Sequence, residues 1–104
     1  MSKKVRTDAV KQLMEGILTL RSTEECHAFF EDLCTANELI SLAQRFEVAA
    51  MLDGDATYQE VARRTGASTA TISRVNRCLN YGTDGYELVL RRLKEMPPED
   101  SEDQ

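Results

Sequence analysis

Residues 57–79 read TYQEVARRTGASTATISRVNRCL. The stretch predicts two short helices, roughly 57–65 and 69–79, with Gly66 between them. Val61 is apolar and is expected to face the second helix. Ala62 is small, as a close helix crossing requires. Gly66 permits the left-handed backbone of a tight turn. Ala67 follows as another small residue, and Ser68 is a good N-cap. Ile72 and Val75 are spaced as the second helix's inward anchors. The remaining positions, Thr69, Ala70, Thr71, Ser73, Arg74 and Arg77, are small, polar or basic. A helix entering a DNA major groove needs that surface: little bulk near its N-terminus and donors along its flank. A packed helix pair with a glycine turn is the plainer reading of any one feature. The coincidence of small residues, glycine, cap and two anchors favours a DNA-reading helix-turn-helix over residues 57–80.

Moving outward, nearly every other segment also carries helical periodicity. In residues 8–20, Val10, Leu13, Met14, Ile17 and Leu18 recur at three- and four-residue steps, and Ala9 and Leu20 widen the face. A face that wide needs cover on more than one side. Ser22 with Glu25, and Thr35 with Glu38, read as capping boxes opening two more helices. Cys26, Phe29, Phe30 and Leu33 form the stripe of the first. Leu39, Leu42, Ala43, Phe46 and Ala50 form that of the second, which Gly54 is expected to end. A last helix follows Gly82–Gly85, carries Tyr86, Val89, Leu90 and Leu93, and stops at Pro97-Pro98. No run alternates in strand fashion. The fold class is therefore all-α with six helices: a single helical domain over residues 1–96, and residues 97–104 as an acidic, disordered tail.

The 104 residues carry 13 Lys or Arg and 18 Asp or Glu, a net charge of −5, which argues against an indiscriminate nucleic-acid coat. The distribution says more. Glu99, Asp100, Glu102 and Asp103 place −4 in the tail. Residues 22–56 hold eight acids against Arg45, whereas residues 57–82 hold Arg63, Arg64, Arg74 and Arg77 against Glu60 alone. A local +3 on an acidic protein suits phosphate binding at one face. No segment approaches the roughly 20 apolar residues of a membrane span, and no Sec signal peptide precedes the first helix. Three cysteines without a CxxC fit a reduced cytoplasm. Cys26, His27 and Cys34 are too few and too widely spaced for a metal site. No phosphate loop, nucleophile elbow or paired carboxylates call for catalysis, so no enzyme is expected.

With these residues in place, the sequence resembles the Trp repressor family, in its short YerC/YecD-like branch. The likeness is best from Leu33 to Asn80, LCTANELISLAQRFEVAAMLDGDATYQEVARRTGASTATISRVNRCLN. It is carried by Thr35-x-x-Glu38, by the Gln44-Arg45 pair and by Gly66-Ala-x-x-Ala-Thr-Ile-Ser-Arg74. The resemblance implies an intertwined homodimer of six-helix subunits with an effector slot between the third helix and the recognition helix. Arg45 and Arg74 fall where the family sandwiches an indole ring, and Thr35 where a loop meets the effector's amino and carboxylate groups. Tryptophan-binding members have Gly at the position of Val75 and Ser at that of Cys78. The β-branched Val75 is expected to project towards the slot, and Cys78 is a poor acceptor; both argue against L-tryptophan, leaving it or a related small effector as the only cofactor to consider.

On the DNA side, the resemblance places Thr69, Ala70 and Ser73 towards base edges. A lysine that contacts DNA in tryptophan-binding members is Ala62 here, so the operator is expected to differ. The reading is a cytoplasmic, homodimeric transcriptional regulator, expected to repress by occluding a promoter. Arg63, Arg64, Arg74 and Arg77 would hold phosphates, and Thr69, Ala70, Thr71 and Ser73 would lie along the bases. Two regimes stay open. An effector between Arg45 and Arg74 sets the heads, or Val75 fills the slot and protein level sets the output. The alternative class is a helical protein-interaction module without DNA binding.

Overall fold

A computed structural model describes residues 4–97. The expected acidic tail falls almost wholly on 98–104 and so lies outside the described residues. Six helices follow one another: α1 Asp8–Ile17, α2 Thr23–Leu33, α3 Ala36–Asp53, α4 Tyr58–Thr65, α5 Thr69–Tyr81 and α6 Gly85–Glu95. No strand occurs among the described residues. The chain forms two compact bodies, one up to Leu39 and one from Ile40 onward.

In the first body, Thr7 caps α1, its hydroxyl accepting from the Val10 N–H at 3.2 Å. The helix ends at Ile17, three residues short of the periodic pattern. The Thr19 hydroxyl donates to the Gly16 carbonyl at 2.7 Å, and the N–H groups of Thr19 and Leu20 bond three residues back. Those tight bonds spend the carbonyls that another turn would need. Ser22 caps α2 by accepting from the Glu25 N–H at 3.0 Å, but the Glu25 carboxylate accepts from Arg21 and not from the cap residue itself. The box expected at Ser22 is therefore shifted by one residue on its return arm. The box at Thr35 is complete: Thr35 N–H donates to Glu38 at 2.8 Å, and Glu38 N–H donates to the Thr35 hydroxyl at 3.1 Å. Neither α1 nor α2 has a buried residue.

The second body has its own core, made of Val48 and Ala49 of α3, Val61 of α4, Ala67, Ile72 and Val75 of α5, and Leu90 of α6. The α3 stripe expected at Leu39, Leu42, Ala43, Phe46 and Ala50 is out of phase with this. Leu39 and Phe46 are half-buried, and the other three are exposed. Val48 and Ala49 instead meet α4 and α5, because the head packs against the C-terminal half of α3.

Gly54 does not take the left-handed conformation expected of it. Asp55 does, at φ 69°. The N–H of Ala56 bonds the Met51 carbonyl and that of Asp55 bonds Leu52, both at 3.1 Å, which closes α3 in a Schellman arrangement. Aspartate tolerates that conformation better than most residues with a β-carbon. Asp84 does the same at the start of α6, at φ 66° and without a side-chain cap.

Candidate nucleic-acid interface

The two helices of the head are short, so their ends must be held. Thr57 and Glu60 form a reciprocal capping box at the start of α4, with bonds of 2.8 and 3.1 Å. These bonds hold the Glu60 carboxyl below its ordinary value of 4.5. The Thr57 backbone N–H contributes most, then the Thr57 hydroxyl; desolvation opposes them, and Arg63 and Arg64 add lesser help. Glu60 is thus the head's only acid and is committed to the cap.

At the far end, Gly66 at φ 74° closes α4 through its N–H to the Ala62 carbonyl at 2.9 Å. Thr65 links the turn. Its hydroxyl donates to Val61 at 2.7 Å and accepts from the Ala67 N–H at 3.1 Å. Its carbonyl accepts from the Gln44 side chain of α3 at 3.1 Å. Gln44 thereby fixes the turn against the long helix, a role that no spacing rule announces. Ser68 then caps α5, accepting from Thr71 N–H at 3.1 Å.

This frame fixes what α5 presents. Ile72 and Val75 are each 1% exposed and anchor the helix inward, and Val61 is fully buried opposite them. Ala62 is exposed, contrary to the close crossing expected of it. The small residue at the junction is Ala67, on the turn itself. Thr69, Ala70 and Ser73 are exposed on the first turns of α5. Thr71 is half-buried, and its hydroxyl lies 3.1 Å from that of Ser68, so it belongs to the cap.

Arg63, Arg64, Arg74 and Arg77 are exposed. Among the described residues the ion pairs are His27–Glu31 at 3.8 Å and Lys94–Asp53 at 3.2 Å, so none of these four arginines is held in an ion pair there, although Arg63 and Arg64 lie near enough to Glu60 to favour its charged form. Two exposed guanidinium groups on the last turn of α4 and two along α5, none in an ion pair among the described residues, are donors suited to phosphates.

The residues considered for an effector are scattered in environment. Arg45 is half-buried, with Nη1 donating to the Ser41 hydroxyl at 3.2 Å. Arg74 is exposed, and Val75 lies in the core beside Val48 and Ala49. Cys78 is exposed on an open cleft of ≈ 570 Å³ that Phe46, Tyr86 and Val89 also line. Thr35 belongs to the first body, engaged with Glu38. Gly82 closes α5 through its N–H to the Cys78 carbonyl at 2.9 Å, and a β-carbon there would collide with that same oxygen. Among the described residues no group of three His, Cys, Asp or Glu is arranged to hold a metal ion.

Residues 8–94 match the family model of the Trp repressor protein. The chain belongs to the Trp repressor family. The uncharacterized protein YerC of Bacillus subtilis (strain 168) is 57% identical over 98 residues, 94% of either chain. A TrpR-like protein of Eubacterium eligens ATCC 27750 has a solved structure that superposes with a TM-score of 0.83. It is 56% identical and covers 90% of this chain and 97% of its own. A Trp repressor candidate of Staphylococcus aureus superposes equally well, at 0.83, with 47% identity and coverage of 89% and 93%. The Trp repressor family is one of regulatory DNA-binding proteins, and in this chain α4 and α5 are joined by a short turn at Gly66. Among the described residues no helix is long and apolar enough to cross a membrane.

Proposed function

We propose that the protein is a cytoplasmic, homodimeric transcriptional regulator that binds a specific double-stranded DNA site and represses by occupying a promoter. The observation that carries this reading is the α4–α5 head: a capped α5 whose exposed start is small and polar, in a head with four arginines that form no ion pair among the described residues. Arg63, Arg64, Arg74 and Arg77 contact phosphates, and Thr69, Ala70 and Ser73 lie along base edges, directly or through water. Thr71 supports them from the cap.

One head alone makes too few contacts for specificity. Two heads on half-sites about 34 Å apart supply the rest. A second copy also gives cover to apolar side chains left open in one chain, among them Leu18 (83% exposed), Ile40 (66%) and Leu33 (50%).

The same reading makes DNA binding independent of L-tryptophan. A ring between Arg45 and Arg74 needs space beside α5, and the side chain at position 75 is a valine packed into the core. The heads are then set by the fold, and the amount of protein sets the output.

The test is a selection from fragmented genomic DNA by the purified full-length protein at about 0.15 M salt, with and without L-tryptophan. The expected result is one palindromic motif enriched equally in both arms. Enrichment only with tryptophan would overturn the effector-free part. No enrichment in either arm would overturn DNA binding in favour of a protein-docking module.

A further inference from the structure

We infer that Gln44 of α3 is a positioning residue for DNA recognition: by donating to the Thr65 carbonyl it aims α5, and so sets sequence discrimination without touching DNA. The inference rests on the DNA-binding reading of the head. The bond from the Gln44 side-chain amide is 3.1 Å long, half-buried, and joins residues 21 apart in sequence. Both ends lie in the body from Ile40 onward.

Thr65 is the last residue of α4. Carbonyls in the last turn of a helix have no partner within it. The Gly66 N–H closes α4 on Ala62, and the Thr65 hydroxyl serves the Val61 carbonyl and the Ala67 N–H. The Thr65 carbonyl takes its donor from outside the head, and Gln44 supplies it.

What the bond adds to packing is direction. Val48 stands four residues after Gln44, one turn further along the same face of α3. It is fully buried, as is Ala49, in the core that holds Val61, Ile72 and Val75. Apolar contact of that kind holds the head against α3 but is non-directional. A hydrogen bond weakens steeply as it leaves its axis. Core and bond together support the head at two places one turn apart on α3, which resists a tilt that the core alone resists less. The bond also grips the turn from which α5 departs, since Ser68 caps α5 three residues after Thr65.

Base reading is sensitive to tilt. The helix rises about 1.5 Å per residue, so Arg77 stands about 12 Å from Thr69 along the α5 axis. A tilt of about 10° shifts one end of that span by about 2 Å against the other, where a recognition group tolerates about 0.5 Å. Long arginine side chains follow a phosphate through such a shift, but the short side chains of Thr69, Ala70 and Ser73 do not follow a base edge. Loss of the Gln44 bond is therefore felt on a specific site and hardly at all on random DNA.

The test uses the full-length chain with Gln44→Met, which keeps the length of the side chain and removes its donor. The control is Ser41→Ala, which removes the exposed acceptor of the Arg45 bond on the same helix. The Thr65 carbonyl shares its peptide group with the Gly66 nitrogen, so nitrogen-15 spectra report the bond. Gln44→Met is expected to move the Gly66 resonance and Ser41→Ala to leave it in place. An unmoved Gly66 resonance in Gln44→Met would overturn the inference. Affinity is then measured for a duplex recovered by genomic selection and for a random-sequence duplex of equal length. A hydrogen bond of ordinary net strength biases an orientation by about 3- to 10-fold, and Gln44→Met is expected to lose about that factor on the selected duplex. On the random duplex the expected loss is below about 2-fold, with the salt slope unchanged on both. The control is expected to match the wild type throughout. Equal losses on the two duplexes, or no loss on the selected one, would overturn the positioning role and leave the bond a structural tie. A moved Gly66 resonance in a protein whose wild type binds neither duplex would overturn the DNA-binding reading and the positioning role with it, while the bond itself would stand.

Discussion

The body from Ile40 and the body up to Leu39 are built from equally helical sequence, yet only the former buries residues of its own. In the second body seven apolar residues reach 6% exposure or less, contributed by α3, α4, α5, α6 and the turn between α4 and α5. In the first, the strong apolar periodicity of α1 ends with Met14 at 50% and Leu18 at 83% exposure. The lesson is that periodicity states how much apolar surface a helix must hide, and not within which chain it hides it. The head's polar groups are closed locally by the Thr57–Glu60 capping box, the Ser68 cap, Thr65 and Gln44. The first body's apolar face needs cover that a single chain does not give it, and the proposed second copy supplies that cover.

Substitutions can break this contrast. Ile72→Ala removes an anchor that is 1% exposed, and should cost about 2–5 kcal/mol in denaturant unfolding while leaving the helix count unchanged. A loss below about 1 kcal/mol would mean that the head collapses around the gap and is not the tightly packed body described. For the first body the corresponding probe is concentration. If a second copy covers α1, a hundredfold rise in protein concentration adds about 2.7 kcal/mol to apparent stability and raises the thermal midpoint. A midpoint independent of concentration would contradict the dimer.

Gly66→Ala separates backbone strain from packing. A β-carbon at Gly66 would meet no atom within 4 Å, so the whole penalty is that of φ 74°. The expected loss is roughly 1–2 kcal/mol, with the same spectroscopic fold. The smallest effect concerns Glu60. Its carboxyl is held below 4.5 in the folded chain, so the capping-box contribution is present above that pH and fades as pH falls through the folded value. The stability difference between the wild type and Glu60→Gln should therefore shrink on acidification below about pH 4.5. A difference that grows in that window would contradict the assignment.

Much of this was legible in the residues themselves. Six helices, the inward roles of Val61, Ile72 and Val75, and the caps at Ser68 and Thr35 follow from periodicity and from hydrogen-bonding side chains placed next to helix starts. Other features depend on packing that a linear pattern does not carry. The phase of α3 differs from its apolar periodicity because the head takes the face bearing Val48 and Ala49, while Leu42 stays 40% exposed. Gly54 is the stronger sequence signal for a left-handed residue, but Asp55 beside it takes that conformation, which aspartate also adopts. Ala62 looked like a crossing residue, but Ala67 on the turn holds that place. In the candidate site, the arginines are visible as a charge excess, whereas their absence from the ion pairs of the described residues requires coordinates. The bond from Gln44 to Thr65 spans 21 residues, and no local rule reports it.

The claim that the head is a phosphate-gripping reader is tested most directly by duplex affinity as a function of salt. The full-length protein is compared with a variant carrying Arg63→Gln, Arg64→Gln, Arg74→Gln and Arg77→Gln on the same selected DNA. The account predicts a steep linear fall of log affinity with log salt for the wild type between about 50 and 200 mM, and a slope reduced by about 1 for each arginine removed. A wild-type slope near zero, or a slope unaffected by losing all four arginines, would contradict it.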